Sequence, residues 1–578
     1  MRYAPHNPAL SLKLEGWRSR LLLVLICLLF LGLAARAVYL QGIRNEFLQR
    51  KGEARYSRVI ELPANRGVVY DRNGEALAIS TPMESVWASP PDANLSALQL
   101  SKLANILRLE KSEIAAHLND KTRGFVYLKR QVSPDLAASV TALNIPGVFL
   151  RREYKRFYPA GEVMAHVVGF TGIDDTGQEG LELAFQSSLA GLPGAKRVIK
   201  DRAGHIVEDV ERIKLPQDGK PLTLSIDSKI QYLAYRELRD AVKTHRAKAG
   251  SIVVLDVRTG EVVALASLPD YNPNNRVRLK PMQMRNRPAI DMFEPGSTLK
   301  PFTIAAALEA GKITPSTVIS TAPGSLKVGN RTIHDAHPQG AITVAQVIQK
   351  SSNVGSAKIA LSLPAEAMWD MFNQVGFGAS PHSGLPGESS GKVRPFKTWR
   401  PIEQATMSYG HGISVSLLQL ARAYVAFASG GEIRPITMLK SDAAVEGERI
   451  LSERTARAVT EMLEMAVQPG GTAPKAQVPG YRVAGKTGTA HKQVGSRYAA
   501  DVYVSSFVGF APVSAPRFVI AVMIDEPSAG QYYGGAVAAP VFSKVMGDAL
   551  RSQGVVPDAP LKEWSDPMFS APEIKEDA

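Results

Sequence analysis

The first strong pattern along the chain is apolar without interruption. Residues 21–35 carry no charged side chain, and Ala37-Val38-Tyr39-Leu40 extends the run past Arg36. That is about the 20 residues a helix needs to cross a bilayer, so one transmembrane helix is expected over 21–40. Ala35-Arg36-Ala37 also has the small-x-small form of a signal-peptide cleavage site. The anchor is preferred because the apolar run continues beyond it. Cys27 is a poor lipoprotein anchor, since bulky Ile26 precedes it. Arg2, Lys13, Arg18 and Arg20 lie ahead of the span against Glu15, which favours a cytoplasmic tail over 1–20. Arg44, Arg50 and Lys51 on the far side reduce that asymmetry.

Shorter periods follow. Arg66-Gly67-Val68-Val69-Tyr70 predicts a strand, Asn73-Gly74 a turn and Glu75-Ala76-Leu77-Ala78-Ile79 a returning strand. Helical spacing appears over 95–107 and 112–118, and again after Gly177-Gln178-Glu179-Gly180-Leu181-Glu182. The region 41–216 shows no catalytic constellation and reads as a spacer or docking module. Pro216-Gln217-Asp218-Gly219-Lys220 is a turn cluster and a domain boundary. Beyond it, Leu222-Thr223-Leu224-Ser225-Ile226 predicts a strand and 228–243 a helix. Residues 251–257 and 261–266 flank Arg258-Thr259-Gly260 as a hairpin. Further strands are expected at 481–484, 503–510 and 518–524, with helices at 297–310, 344–361 and 417–428 between hairpin and strands. Strands, a helical middle and strands again predict an α+β domain over 217–565, one antiparallel sheet with helices packed on it. The acidic, Pro-containing segment 566–578 reads as a loose tail.

Composition narrows the class. The 578 residues exceed one typical domain, and 45% hydrophobic with 21% charged content is globular. The net charge of +14 fits either dispersed surface charge or attraction to an anionic neighbour, lipid or wall polymer. No nucleic-acid-binding signature is present. A single cysteine allows neither an intrachain disulfide nor a thiolate cluster. His334 and His337 have metal-like spacing without partners, so no metal and no cofactor are expected.

Candidate chemistry begins at Phe293-Glu294-Pro295-Gly296-Ser297-Thr298-Leu299-Lys300-Pro301. Pro301 must lie in the first turn of a helix that starts near Ser297. Ser297 and Lys300, three apart, then share one face. The serine lies where a helix N-terminus presents free N–H groups, and a neutral Lys300 is a base for it. Alone, such a pair is most often a solvated face. Two later motifs change this: Ser351-Ser352-Asn353, and Lys486-Thr487-Gly488-Thr489. The three in this order match the motif set of penicillin-recognising serine enzymes.

These segments, with Asp71-Arg72-Asn73-Gly74, Gly470-Gly471-Thr472-Ala473 and Tyr532-Tyr533-Gly534-Gly535, resemble the class B penicillin-binding proteins of the cell-division type. The likeness covers nearly all the chain after the N-terminal tail. It implies a penicillin-binding transpeptidase domain over 217–565 on an elongated pedestal or dimerisation-type domain, 41–216. It also implies D,D-transpeptidation of peptidoglycan stem peptides at the septum, with β-lactams acylating the serine. By resemblance, Ser297 is the nucleophile, Lys300 the base with Lys486 nearby, and Ser351 the proton relay to the leaving D-Ala. Asn353 holds Lys300 and the donor peptide. Lys486, Thr487 and Thr489 hold the substrate carboxylate, and the N–H groups of Ser297 and Thr489 form the oxyanion hole. Which group is the general base is disputed across such enzymes. Gly488 is expected to let the substrate backbone approach. Tyr409, Tyr532 and Tyr533 read equally well as an aromatic wall or as ordinary packing, and His411 departs from an expected aromatic.

The resemblance places the catalytic domain on the periplasmic side of the bacterial inner membrane. It implies a separate division glycosyltransferase and other septal proteins as partners, because no glycosyltransferase signature precedes residue 217. The competing readings are a D,D-carboxypeptidase or β-lactamase-like hydrolase, and a non-catalytic β-lactam sensor or scaffold.

Overall fold

A computed structural model describes residues 15–43, 57–200, 206–441, 445–494 and 497–560. Arg2, Lys13, Arg44, Arg50, Lys51 and the tail 566–578 lie outside the described residues. Gly16–Val38 is a 23-residue helix, continued by a π-turn at Tyr39–Ile43. An 18-residue stretch of the span Gly16–Gly42 has a mean hydropathy of 2.7, and it is the one helix among the described residues long and apolar enough to cross a membrane. Residues 21–35 of it carry no charged side chain on any face, as in a bilayer span.

The described chain divides into two compact units. One comprises the chain to Ala64 with Met83–Glu153 and Leu192–Gln217. In it, strands Ser57–Leu62, Gly194–Lys200 and Ile206–Lys214 pair antiparallel. The helix Ala97–Leu107 starts at a capping box in which the Ser96 side chain accepts from Gln99 N and the Gln99 side chain bonds back. Its Leu103 and Leu107, one turn apart, enter a core with Val86, Ile114, Leu128 and Val140.

The other unit comprises Asn65–Pro82, Tyr154–Gly191 and the chain from Asp218. This differs from a simple division at 216–217, because two earlier segments cluster with the C-terminal one. Val69 and Tyr70 pair parallel with Leu222 and Thr223, and Arg72 Nη2 lies 3.1 Å from Glu261 Oε2, which joins the first of them to the C-terminal segment. A buried charge cluster joins the two to each other. Glu182 accepts from Arg66 Nε at 2.6 Å and from Arg156 Nε at 2.7 Å. All three are buried, and a buried guanidinium demands such a partner.

The main elements of this unit, in chain order, are α1 (Ser228–Thr244), β1 (Ala249–Asp256), β2 (Val262–Leu268), α2 (Lys300–Glu309), α3 (Val344–Lys350), α4 (Asn353–Leu361), α5 (Leu417–Ala428), α6 (Glu453–Val467), β3 (Ala484–Val494), β4 (Arg497–Ala511), β5 (Phe518–Asp525) and α7 (Ala539–Ser552). The strands form one antiparallel sheet in the order β2-β1-β5-β4-β3. Strand periodicity sends alternate residues to opposite faces. Ile252 and Val254 of β1 join Ile520 and Val522 of β5 against Leu238 of α1 and Phe542 of α7. Val253 and Leu255 join Val519 and Ala521 against Phe302 of α2, Leu418 of α5 and Val459 of α6. The sheet is thus covered on both faces, as expected for the α+β domain.

Several elements differ from the sequence reading: the strands expected over 66–70 and 222–226 are shortened to Val69–Tyr70 and Leu222–Thr223. The helix expected over 344–361 is two helices, broken at Ser351. The strand expected over 481–484 begins only at Ala484, because Val478 and Tyr481 bridge to each other in a turn first. The Lys-Thr-Gly motif therefore lies within β3, at the sheet's edge.

Candidate active site

Gly296, at φ 56°, bends the chain out of the short strand Met292–Phe293 into a 3-10 turn, Gly296–Leu299, which runs straight into α2. A 3-10 turn has about three residues per turn, so positions three apart stack. Ser297 and Lys300 therefore share a face, and Pro301 occupies the first turn of α2. Ser297 is 4% exposed and Lys300 0%. Phe302, Ile304, Ala305 and Ala307 behind them are all buried.

Lys300 Nζ donates to Ser351 Oγ at 3.0 Å and to the Ser351 carbonyl at 2.5 Å. The break between α3 and α4 makes this possible. Ser351 ends α3 in the left-handed conformation, φ 60°, which costs a non-glycine residue about 1–2 kcal/mol. Ser352 then caps α4, its Oγ accepting from Gly355 N at 2.9 Å and donating to Asp335 Oδ2 at 2.7 Å. Asp335 Oδ1 accepts from Val354 N at 2.9 Å, so a carboxylate sits at the positive end of α4. Asn353 Nδ2 donates to the His334 carbonyl at 3.2 Å. The second motif is thereby fastened to the strand Arg331–His334.

The third motif presses on the first. A Cβ at Gly488 would lie 2.7 Å from the Pro295 carbonyl oxygen, 2.5 Å from Ser506 Oγ and 3.0 Å from Thr298 Cγ2. The glycine was expected to admit the substrate backbone; that face is instead filled by the nucleophile turn. On the opposite side Gly410, at φ 89°, abuts Gly296 so closely that its Cβ would fall 2.2 Å from the Gly296 oxygen. The turn bearing Ser297 is held between β3 and the loop 409–412.

Lys486 is 0% exposed; its Nζ lies 3.0 Å from Thr487 Oγ1 and 3.4 Å from Thr472 Oγ1. The two threonine hydroxyls are 2.9 Å apart. Thr489 Oγ1 accepts from Gly534 N at 3.1 Å. Tyr532 and Tyr533 follow the sheet's edge: Tyr532 stacks on Tyr503 at 4.0 Å, and the Tyr532 and Tyr533 hydroxyls are 2.9 Å apart. Tyr409 is placed differently. It packs with Val354, Ala357 and Ala405 in a small core cluster, its ring edge-on to His411. Burial, with Lys300 and His491 adding positive charge, pushes the His411 imidazole down to about 4. Among the described residues no group of three or more His, Cys, Asp or Glu is placed to hold a metal.

A model of the penicillin binding protein transpeptidase domain matches residues 250–547, and a model of the penicillin-binding protein dimerisation domain matches 61–224. The chain is 43% identical over 552 residues to "Peptidoglycan D,D-transpeptidase FtsI" of Escherichia coli K12, covering 94% of this chain and 93% of that one. It belongs to the class B penicillin-binding proteins. Another relative, "Probable peptidoglycan D,D-transpeptidase PenA" of Neisseria meningitidis, is 46% identical over 548 residues, 94% of each chain. Among solved structures, the transpeptidase domain of Burkholderia pseudomallei penicillin-binding protein 3 covers 58% of this chain at 49% identity, TM-score 0.54. A peptidoglycan synthetase of Bifidobacterium adolescentis, 24% identical over 88% of the chain, shares the fold at TM-score 0.69.

In this class B penicillin-binding protein several site-forming residues escaped the sequence reading. Thr472 lies in a segment already singled out, but its pairing with Thr487 spans fifteen positions and leaves no local trace. Asp335 acts through its carboxylate on Ser352 and Val354, and Gly410 through its backbone approach to Gly296. Glu294 stands three residues before Ser297, and only its partners reveal a role. Gly412 N donates to it at 2.8 Å and the Tyr498 hydroxyl at 3.0 Å. Burial raises its carboxyl, opposed by those two hydrogen bonds.

Proposed function

We propose that this class B penicillin-binding protein is a peptidoglycan D,D-transpeptidase working through an acyl-enzyme on Ser297. The observation that carries the reading is the fully buried Lys300, bonded to Ser351 and flanked by an edge strand pressed on the nucleophile turn. Lys300, one turn from Ser297 and without solvent contact, is the amine that can serve as its base. Ser297 Oγ attacks the carbonyl of the penultimate D-Ala while Lys300 takes its proton. The oxyanion is held by the N–H groups of Ser297 and Thr489. The amide breaks, Ser351 passes a proton to the leaving D-Ala amine, and an ester on Ser297 remains. An acceptor amine attacks that ester and releases the cross-link. Asn353 orients the donor peptide, and Lys486, Thr487 and Thr489 hold its terminal carboxylate, which an ammonium and hydroxyls suit. Tyr532 and Tyr533, half-buried where Tyr409 is buried, form the aromatic wall for the substrate.

The finer reading follows the same relatives. The apolar helix is a single-pass anchor, and the catalytic unit faces the periplasm. The pedestal over 41–216 and the anchor contact a division glycosyltransferase and other septal proteins, and β-lactams acylate the same serine. The test uses the full chain with a stem pentapeptide donor and a labelled D-amino acid acceptor. Transfer predicts D-Ala release matched by label incorporation. Release of the free tetrapeptide acid alone would favour a hydrolase.

A further inference from the structure

We infer that Glu294 is a positioning residue for acylation, tying the nucleophile turn to the loop 409–412 and to the β3–β4 hairpin. The inference rests on the transpeptidase reading. Glu294 Oε1 accepts from Gly412 N at 2.8 Å, and both carboxylate oxygens lie 3.0 Å from the Tyr498 hydroxyl. Gly412 belongs to the loop whose Gly410 abuts Gly296. Tyr498 is the second residue of β4 and pairs with Gln493 of β3, the strand that carries Lys486 and Thr489. One carboxylate thus joins three segments, the outermost 204 positions away.

The need for such a joint follows from the site's geometry. The two N–H groups proposed for the oxyanion belong to different segments, Ser297 on the turn and Thr489 on β3. The Gly488–Pro295 contact is a steric stop: it prevents closer approach and does nothing to resist separation. Fixed spacing needs a tether as well. The Glu294–Tyr498 bond supplies one from the far end of the hairpin, and a carboxylate acceptor makes it stronger than a neutral one. The Tyr498 ring is 51% exposed, so its phenol is held there by the hydroxyl more than by packing. Oxyanion donors act only within a few tenths of an ångström of their working distance, so slack here is felt in the bond-forming step and little in initial binding.

The test uses the full chain and a fluorescent penicillin, with acylation resolved into pre-covalent affinity and the first-order rate of bond formation. Tyr498→Phe removes one oxygen from a half-exposed ring and leaves the fold intact. It should lower the first-order rate about tenfold, the worth of one charge-assisted hydrogen bond, with affinity and unfolding temperature unchanged. Glu294→Gln should lower the rate by a similar or larger factor, and the double variant no more than Glu294→Gln alone. A Tyr498→Phe chain that acylates as fast as wild type, or losses that multiply in the double variant, overturns the inference alone. A wild-type chain that takes no label overturns the transpeptidase reading and this inference with it.

Discussion

Gly488→Ala adds one methyl group at the most crowded point of the site. Its Cβ would meet the Pro295 oxygen at 2.7 Å and Ser506 Oγ at 2.5 Å. The serine hydroxyl can rotate away; the Pro295 carbonyl is backbone and cannot. Ordinary contact starts near 3.4 Å, so β3 and the nucleophile turn must part by about 0.7 Å. Overpacking of this kind costs about 1–3 kcal/mol. A displacement approaching 1 Å between reacting groups costs about 100-fold in rate. Acylation by labelled penicillin and thermal unfolding of the full chain read the two effects. The prediction is a loss of at least about 30-fold in the acylation rate, with a measurably lower unfolding temperature. If the glycine served only the substrate's approach, the methyl would weaken pre-covalent binding and leave both the bond-forming rate and the stability near wild type. That outcome would refute the packing argument.

Other expectations follow from buried partners. Glu182→Gln removes the carboxylate that both Arg66 and Arg156 bond and should cost about 3–5 kcal/mol; an unfolding temperature equal to wild type would contradict this. Thr472→Val keeps shape but deletes the hydroxyl shared with Thr487 and Lys486. It should weaken pre-covalent penicillin binding by about fivefold, near 1 kcal/mol, and an unchanged affinity would remove Thr472 from the carboxylate network. Burial pushes the His166 imidazole down to about 4, below its value of about 6.5 in the unfolded chain. The unfolded state therefore binds the extra proton first. His166 stability is full above pH 6.5 and is lost as pH falls toward 4, by up to about 3 kcal/mol. Urea unfolding at pH 7 and pH 5 should show a smaller drop in His166→Phe than in wild type, and an identical drop would assign the acid sensitivity elsewhere.

Much of the site was legible because its motifs are short and local. Ser297 and Lys300 share a face on any helical turn, and Pro301 dates the start of that helix. The order of strands, helices and strands specified the sheet. The break at Ser351 was not legible, since apolar spacing continues through it and only the left-handed backbone at φ 60° interrupts the helix. Gly488 was readable as a point of close approach, but what approaches it is set by a segment some 190 residues earlier. The same holds for Arg66 with Glu182 and for Glu294 with Tyr498. Pairings that close loops of more than a hundred residues leave no periodicity for a sequence to display. Pairings of this kind join Asn65–Pro82 to Tyr154–Gly191 and Glu294 to the start of β4.

The measurement closest to the heart of the account is peptide mapping by mass spectrometry after the full chain meets benzylpenicillin. One drug molecule should be found on the peptide containing Ser297 and none in Ser297→Ala. Lys300→Ala, still folded, should acylate at least about 100-fold more slowly. A wild-type chain without an adduct, an adduct that survives Ser297→Ala, or a Lys300→Ala chain that acylates at the wild-type rate would contradict it.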